Sequence, residues 1–175
     1  MLGAMTRQSR PINASLRVLG IDPGTRVVGW AIVEGSTSRL KLVGCGAIRG
    51  PEGDYAARLA HIHTELARIA AESGCVEAAV EEIFAGRNMK TALVTGEGRG
   101  VALAALGAAG MAVSSFPSKV VKRAVTGNGS ASKQQVARMV ALQLGLGKPP
   151  SPADVTDACA VAITRICRPG YLPAL

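Results

Sequence analysis

Three largely apolar runs follow one another within the first fifty residues: Leu16 to Ile21, interrupted by Arg17, Val27 to Val33, and Leu40 to Ile48, interrupted by Lys41. Runs of this length, bounded by turn residues, read as strands. Between the first two lies Asp22-Pro23-Gly24-Thr25, a turn because Pro presets φ and Gly accepts positive φ. Strands joined by such short turns predict an antiparallel meander. The period then changes. Tyr55, Leu59, Ile62, Leu66 and Ile69 recur at three- and four-residue steps, which places them on one helical face. Asp54 can cap that helix and Gly74 can end it. Ala78 to Phe84 is strand-like, residues 88–109 read as a long helix rich in Ala and Gly, and Ala112 to Phe116 is a last short strand before Pro117. Two helices finish the chain. One opens with the capping box Ser132 and Gln135 and stops at Gly145; the other is expected to start with Ser151 as cap and Pro152 at its first position, and to run to about Cys167. The expected fold is therefore α/β, a mixed sheet in which a three-strand meander is followed by alternating helices and strands, with helices packed on it.

A chain of 175 residues suits one domain, assigned to residues 16–170 after a disordered leader at 1–15 that shows no periodicity. Aromatic residues make up only 3% of the chain against 48% hydrophobic residues, so Ala, Val, Leu and Ile must fill the core. Cys45, Cys75, Cys159 and Cys167 show no CxxC spacing and lie among apolar neighbours; they read as buried free thiols of a reducing cytoplasm. The longest apolar stretch, Val101 to Val113, has 13 residues, too short to span a bilayer. A soluble, cytoplasmic protein is expected, with no membrane partner.

Lys and Arg number 20 against 12 Asp and Glu, a formal charge of +8, and such an excess attracts a polyanion, either nucleic acid or an acidic membrane surface. Its distribution is more telling. From Arg87 to Lys148 there are nine basic residues and one acid, Glu97. Nine minus one is eight, the whole excess. Arg87, Lys90 and Arg99 are candidate DNA contacts within it, although ordinary helix-surface cations have the same appearance.

Three groups of acids stand where a surface would not put them. Asp22 directly follows an apolar strand. Glu81 and Glu82 interrupt the apolar run from Ala78 to Phe84, and strand alternation turns only one of them inward. Asp154 and Asp157 share one face of the last helix at i, i+3. Asp22 alone could open a turn and Asp154 could belong to a capping box with Ser151, but Asp157 heads an apolar face and is costly to bury uncompensated. Two carboxylates about 4 Å apart repel by roughly 4 kcal/mol at an effective dielectric near 20, so a cluster stays ionised only around a cation. Oxygen ligands without His or Cys select Mg²⁺ or Mn²⁺; His61 and His63, two positions apart on a helix, point away from each other. Such a site in a basic protein suits two-metal phosphodiester hydrolysis.

These segments resemble the RuvC family of Holliday-junction resolvases. Leu19-Gly20-Ile21-Asp22-Pro23-Gly24-Thr25 with Gly29-Trp30, Val80-Glu81-Glu82-Ile83-Phe84 with Arg87-Asn88, and Gly96-Glu97-Gly98-Arg99-Gly100-Val101-Ala102 are similar to the family's first three motifs. Val121 to Gly129 with Lys133-Gln134-Gln135-Val136, and Asp154 and Asp157 with Ala158 and Ala160, are similar to the last two. The resemblance covers roughly residues 16–168. It implies a ribonuclease-H-like fold with helices on both faces of the sheet, and a homodimer that places paired symmetric nicks in a four-way DNA junction during recombination and repair. It further implies that Asp22, Glu81, Asp154 and Asp157 are the catalytic ligands of Mg²⁺, two ions per subunit, with Mn²⁺ able to substitute. By the same resemblance Lys122 and Lys133 contact DNA near the scissile phosphate and Phe84 stacks on a base at the junction centre. Arg87, Asn88, Lys90, Arg99 and Arg123 complete the expected DNA-contacting set, and a branch-migration motor is the expected protein partner.

Three rival readings remain at this stage. An ATP-binding protein of the actin and sugar-kinase kind also opens with a Gly-Ile-Asp-x-Gly-Thr turn, but needs a second lobe. A DNA-binding protein without catalysis would keep the basic stretch without needing all four acids. A nuclease of the same fold could act on RNA–DNA hybrids.

Overall fold

The computed structural model describes residues 15–82 and 89–168, with the backbone alone for 89–91. Its first three strands, β1 (Leu16–Asp22), β2 (Val27–Ser36) and β3 (Arg39–Arg49), form the expected antiparallel meander. Helix α1 (Tyr55–Glu72) follows, and the Asp54 carboxylate accepts from the Ala57 N–H, as a capping residue should. Strands β4 (Glu77–Glu81) and β5 (Ala112–Phe116), separated by helix α2 (Met89–Ala108), run parallel to β1. The sheet order is β3-β2-β1-β4-β5. Three helices complete the described residues: α3 (Ser118–Thr126), α4 (Lys133–Gln143) and α5 (Ala153–Cys167). This is the mixed α/β sheet expected from the sequence.

Side-chain alternation along each strand divides the core in two. Leu16, Val18, Ala31, Val33, Ala79 and Phe116 face α3, α4 and α5, whereas Leu19, Ile21, Val28, Ala78 and Val80 face α1 and α2. Helices therefore cover both faces. On the second face Ile62, Leu66 and Leu106 are fully buried, each contributing about 1.5–3 kcal/mol by leaving water. Helix α5 is the central element of the first face: from Val155 to Ile166 every residue except Asp157 and Arg165 is buried. Arg165 nonetheless lies inside, with its Nη2 2.5 Å from the Glu77 carboxylate at the start of β4.

The structure corrects several local expectations. Helix α3 is additional to the two expected after Pro117. Its apolar positions Val121 and Val125 are buried at i, i+4 spacing, but β-branched valines among charges do not stand out as helical. The start of α5 also differs. Pro152 is the cap residue itself, with no side-chain capping bond, and Ser151 does not cap. Instead the Thr156 hydroxyl reaches back to the Pro150 carbonyl at 2.6 Å and the Val155 N–H bonds to the Pro152 carbonyl. That removes the capping-box explanation for Asp154. The strand expected from Ala78 to Phe84 ends at Glu81, and its last two expected residues, Ile83 and Phe84, lie outside the described residues. Of the four free cysteines only Cys159 is buried; the other three are partly exposed.

Candidate active site

Two glycines decide how closely α5 lies on the sheet. A Cβ on Gly20 would stand 2.1 Å from the Ala158 carbonyl oxygen, and one on Gly29 would stand 2.0 Å from that of Asp154. No side chain fits at either position, so the α5 backbone rests directly on β1 and β2. Gly29 is the register partner of Asp22, which puts the first turn of α5 beside the end of β1. Alternation places Asp22 on the α5 face, in phase with Val18 and Gly20, and Glu81 on that same face, in phase with Ala79. Of the acidic pair on β4, Glu81 is thus the one that faces α5. The Glu82 N–H instead continues the ladder to the Phe116 carbonyl at 2.9 Å.

The electrostatics bear out this convergence. Burial, followed by the charges of Asp157, Glu81 and Asp154, pushes Asp22 up to about 7. Burial likewise raises Glu81 and Asp157. For Glu81 the Asp157 charge adds to the rise, against the nearby Ser118 hydroxyl, Lys133 and Lys122. For Asp157 the Asp154 charge adds to it, against Lys133 and Lys122. Residues from β1, β4 and α5 therefore share one electrostatic environment, with two lysines at its rim. The Lys133 Nζ stands 3.7 Å from the Asp157 carboxylate; 84% of the lysine side chain is exposed, against 26% for Asp157. A contact this long at so exposed a cation is weak and leaves the lysine free to reach a phosphate. The donor set is all oxygen, which matches a hard divalent cation. Among the described residues, however, no three His, Cys, Asp or Glu side chains stand close enough to hold one metal ion: the carboxylates sense each other without closing on a single point.

Lys122 is partly buried on α3, and Lys133 opens α4 directly after the capping box that Ser132 and Gln135 make, with bonds of 3.2 and 2.8 Å. Arg123 is exposed on α3, with its Nε 3.8 Å from where a Cβ on Gly129 would stand. Arg99 is a different case. Its Nη2 donates to Ser115 at 2.8 Å on the α2 side of the sheet, and its Nε is buried, so it points into the fold, away from the carboxylates. Phe84, Arg87 and Asn88 lie outside the described residues, as does the side chain of Lys90. His61 is exposed and His63 partly so, on α1, on the opposite face of the sheet. Ser118, which sequence reasoning does not single out, opens α3 two residues after Phe116, the register partner of Glu81.

The family model for crossover junction endodeoxyribonuclease RuvC matches residues 18–165, which include all four carboxylates. The chain belongs to the RuvC family. Its members are crossover junction endodeoxyribonucleases, hydrolases that cut DNA. The RuvC of Chloroflexus aurantiacus is 46% identical over 149 residues, covering 85% of this chain and 91% of that protein. The solved Thermus thermophilus RuvC is 32% identical with a TM-score of 0.80, covering 88% of this chain and 95% of that one. The same Thermus protein in complex with Holliday junction substrate matches at 29% identity and a TM-score of 0.78, covering 88% and 94%. The RuvC assignment carries a nuclease function, and with it a place in DNA recombination and repair, and leaves no place for the ATP-binding reading. Among the described residues no helix is long and apolar enough to cross a membrane.

Proposed function

We propose that this RuvC-family chain resolves four-way junctions by Mg²⁺-dependent hydrolysis, placing one nick in each of two opposed strands, and that Asp22, Glu81, Asp154 and Asp157 are its metal ligands. The observation that carries the proposal is the mutual influence of these carboxylates. Asp22 is held near 7 by burial and by the other three, an arrangement that a fold keeps only where a cation relieves it. Two Mg²⁺ ions per subunit, with Mn²⁺ as substitute, would supply Lewis acidity and neutralise charge at the scissile phosphate.

The chain's own residues do the rest. Lys122 and Lys133 hold the backbone phosphate beside the carboxylates, and Arg123 extends the basic surface along α3. Phe84, Arg87, Asn88 and Lys90 stay in the proposed DNA-contacting set on the family resemblance, and Arg99 leaves it. Paired cuts require two active sites, so the working form is a homodimer, which matches a near two-fold substrate. Helix α2 offers a surface for it: Leu93 is 64% exposed, and Gly96, Gly100 and Gly107 have open space above them. The proposed setting is the cytoplasm, beside a branch-migration motor that delivers the junction.

The test compares a mobile four-way junction, a linear duplex and an RNA–DNA hybrid, each with and without Mg²⁺, for wild type and Asp157→Asn. Cleavage should be confined to the junction and to Mg²⁺, and Asp157→Asn should abolish it while junction binding in Ca²⁺ is kept or improved. Cleavage retained by that variant would overturn the ligand assignment, and preferential cutting of the hybrid would move the protein to another nuclease class. Binding should also weaken steeply with salt, because several phosphate contacts release counterions.

A further inference from the structure

We infer that Arg49 is a DNA-backbone contact on the β3 side of the carboxylates, gripping a phosphate of the cut strand about three to four positions from the cut. The inference rests on the four-carboxylate reading, which puts the scissile phosphate beside Asp22, Glu81 and the first turn of α5. Register fixes where Arg49 stands. Asp22 pairs with Gly29 and Gly29 with Ala47, and Arg49 lies two residues beyond Ala47 on β3. Ile48 packs in the layer of α1 and α2, so alternation turns Arg49 to the α5 side, the side of Asp22 and Glu81. Strands β1 and β3 are both antiparallel to β2, so their C-terminal ends lie at the same end of the sheet. Two strand spacings across and two residues along put the main chains of Asp22 and Arg49 about 12 Å apart.

The main chain is held at this point while the side chain is free. Arg49 pairs with Val27, and the Gly50 N–H donates to the Arg26 carbonyl at 2.9 Å. The Arg58 Nε donates to the Pro51 carbonyl at 2.9 Å, and its stem occupies the space above Gly50. The Arg49 side chain is exposed, and among the described residues no hydrogen bond or ion pair engages it. Asp54, the acid at the end of the following loop, is taken up as the cap of α1. Strands β3 and β5 are the two edges of the sheet. Helix α3, which follows β5, carries Lys122, and the Lys133 Nζ stands 3.7 Å from Asp157. Cations therefore flank the carboxylates on both sides, the lysines toward β5 and Arg49 toward β3. A DNA strand presents a phosphate about every 3.4 Å of helix axis, so about 12 Å spans three to four positions. A guanidinium suits that task, because it stays charged and offers parallel N–H donors to phosphate oxygens.

The experiment uses the full chain with Arg49→Ala, Arg49→Lys and Arg39→Ala. The last removes the same charge from the other end of β3, about 33 Å away. Junction binding is measured in Ca²⁺ across a salt series, on unmodified DNA and on junctions with one neutral methylphosphonate at successive positions around the cut. Each Arg49→Ala subunit should lose about 0.9 from the slope of log affinity against log salt, or about eightfold in affinity at about 0.1 M salt. Arg49→Lys should keep the slope, and Arg39→Ala should bind like wild type. In wild type a methylphosphonate about three to four positions from the cut should weaken binding; in Arg49→Ala the same substitution should change nothing. Wild-type affinity and slope in Arg49→Ala overturn the inference, as does an equal loss in Arg39→Ala or a methylphosphonate profile that Arg49→Ala leaves unaltered. Cleavage by Asp157→Asn separates the two levels. If that variant still cuts, the carboxylate reading fails, and the predicted phosphate position with it; if it is inactive while Arg49→Ala binds like wild type, only the Arg49 contact fails.

Discussion

Replacing Asp22 with Asn should make the metal-free protein more stable while removing its activity. Folding takes the Asp22 carboxyl from 3.8 to about 7, a change that corresponds to roughly 4 kcal/mol. The folded form binds this proton more tightly than the unfolded chain does. The Asp22 contribution is therefore fully present below 3.8 and lost as pH rises through about 7. Asn keeps the shape and carries no charge at any pH. Allowing for relaxation of the neighbouring carboxylates, Asp22→Asn should gain about 2–4 kcal/mol at pH 8 in EDTA, and roughly a third of that at pH 5. For a chain of this size that is a rise of about 5–12 °C in melting temperature at pH 8. Saturating Mg²⁺ should narrow the gap, since ligand at a hundred times its dissociation constant stabilises wild type by about 2.7 kcal/mol and the variant by less. The assay is thermal melting of both proteins at pH 5 and pH 8, with EDTA and with Mg²⁺. A variant that melts no higher than wild type at pH 8 in EDTA, or that gains equally at both pH values, refutes the reasoning.

Other outcomes follow from the packing of α5. Gly29→Ala drives a Cβ to 2.0 Å from the Asp154 carbonyl, so it should cost about 3 kcal/mol and abolish cleavage as well; circular dichroism melting together with the junction assay checks both. Glu77→Gln leaves the guanidinium of Arg165, 13% exposed, without its carboxylate, and should lower stability by about 3 kcal/mol in urea unfolding, with Mg²⁺ half-saturation unchanged in the variant that remains folded.

The meander, α1, α2, β5 and the capping box of α4 were legible because each carries a local signal: alternation or a continuous apolar run for strands, three- and four-residue steps for helices, Ser132 with Gln135 for the cap. Helix α3 was not, because nine residues with three valines carry little helical preference, and burial of Val121 and Val125 against α5 supplies what propensity does not. The start of α5 misled for a related reason. Ser151, Pro152 and Asp154 have the composition of a capping box, but the chain at Pro150 is tied by Thr156, a bond that composition does not announce. In the site, the acids were legible as charges interrupting apolar runs. Which of Glu81 and Glu82 faces inward needed the phase of β4. The inward turn of Arg99 toward Ser115 is a tertiary contact across distant segments, with no signature at either end. The ion pair of Arg165 and Glu77 had a faint one: a lone cation in the apolar run from Ala158 to Ile166.

Gly20 and Gly29 set a ruler made of main chain. Because the α5 carbonyls meet the sheet with no side chain between them, the separation of the acidic residues does not depend on the volumes of the valines, leucines and alanines that fill the rest of that layer. Those positions are free to vary in size and shape over evolutionary time while the spacing of the carboxylates stays in calibration, and conservation within the layer should fall on the two residues that contribute no side chain to it.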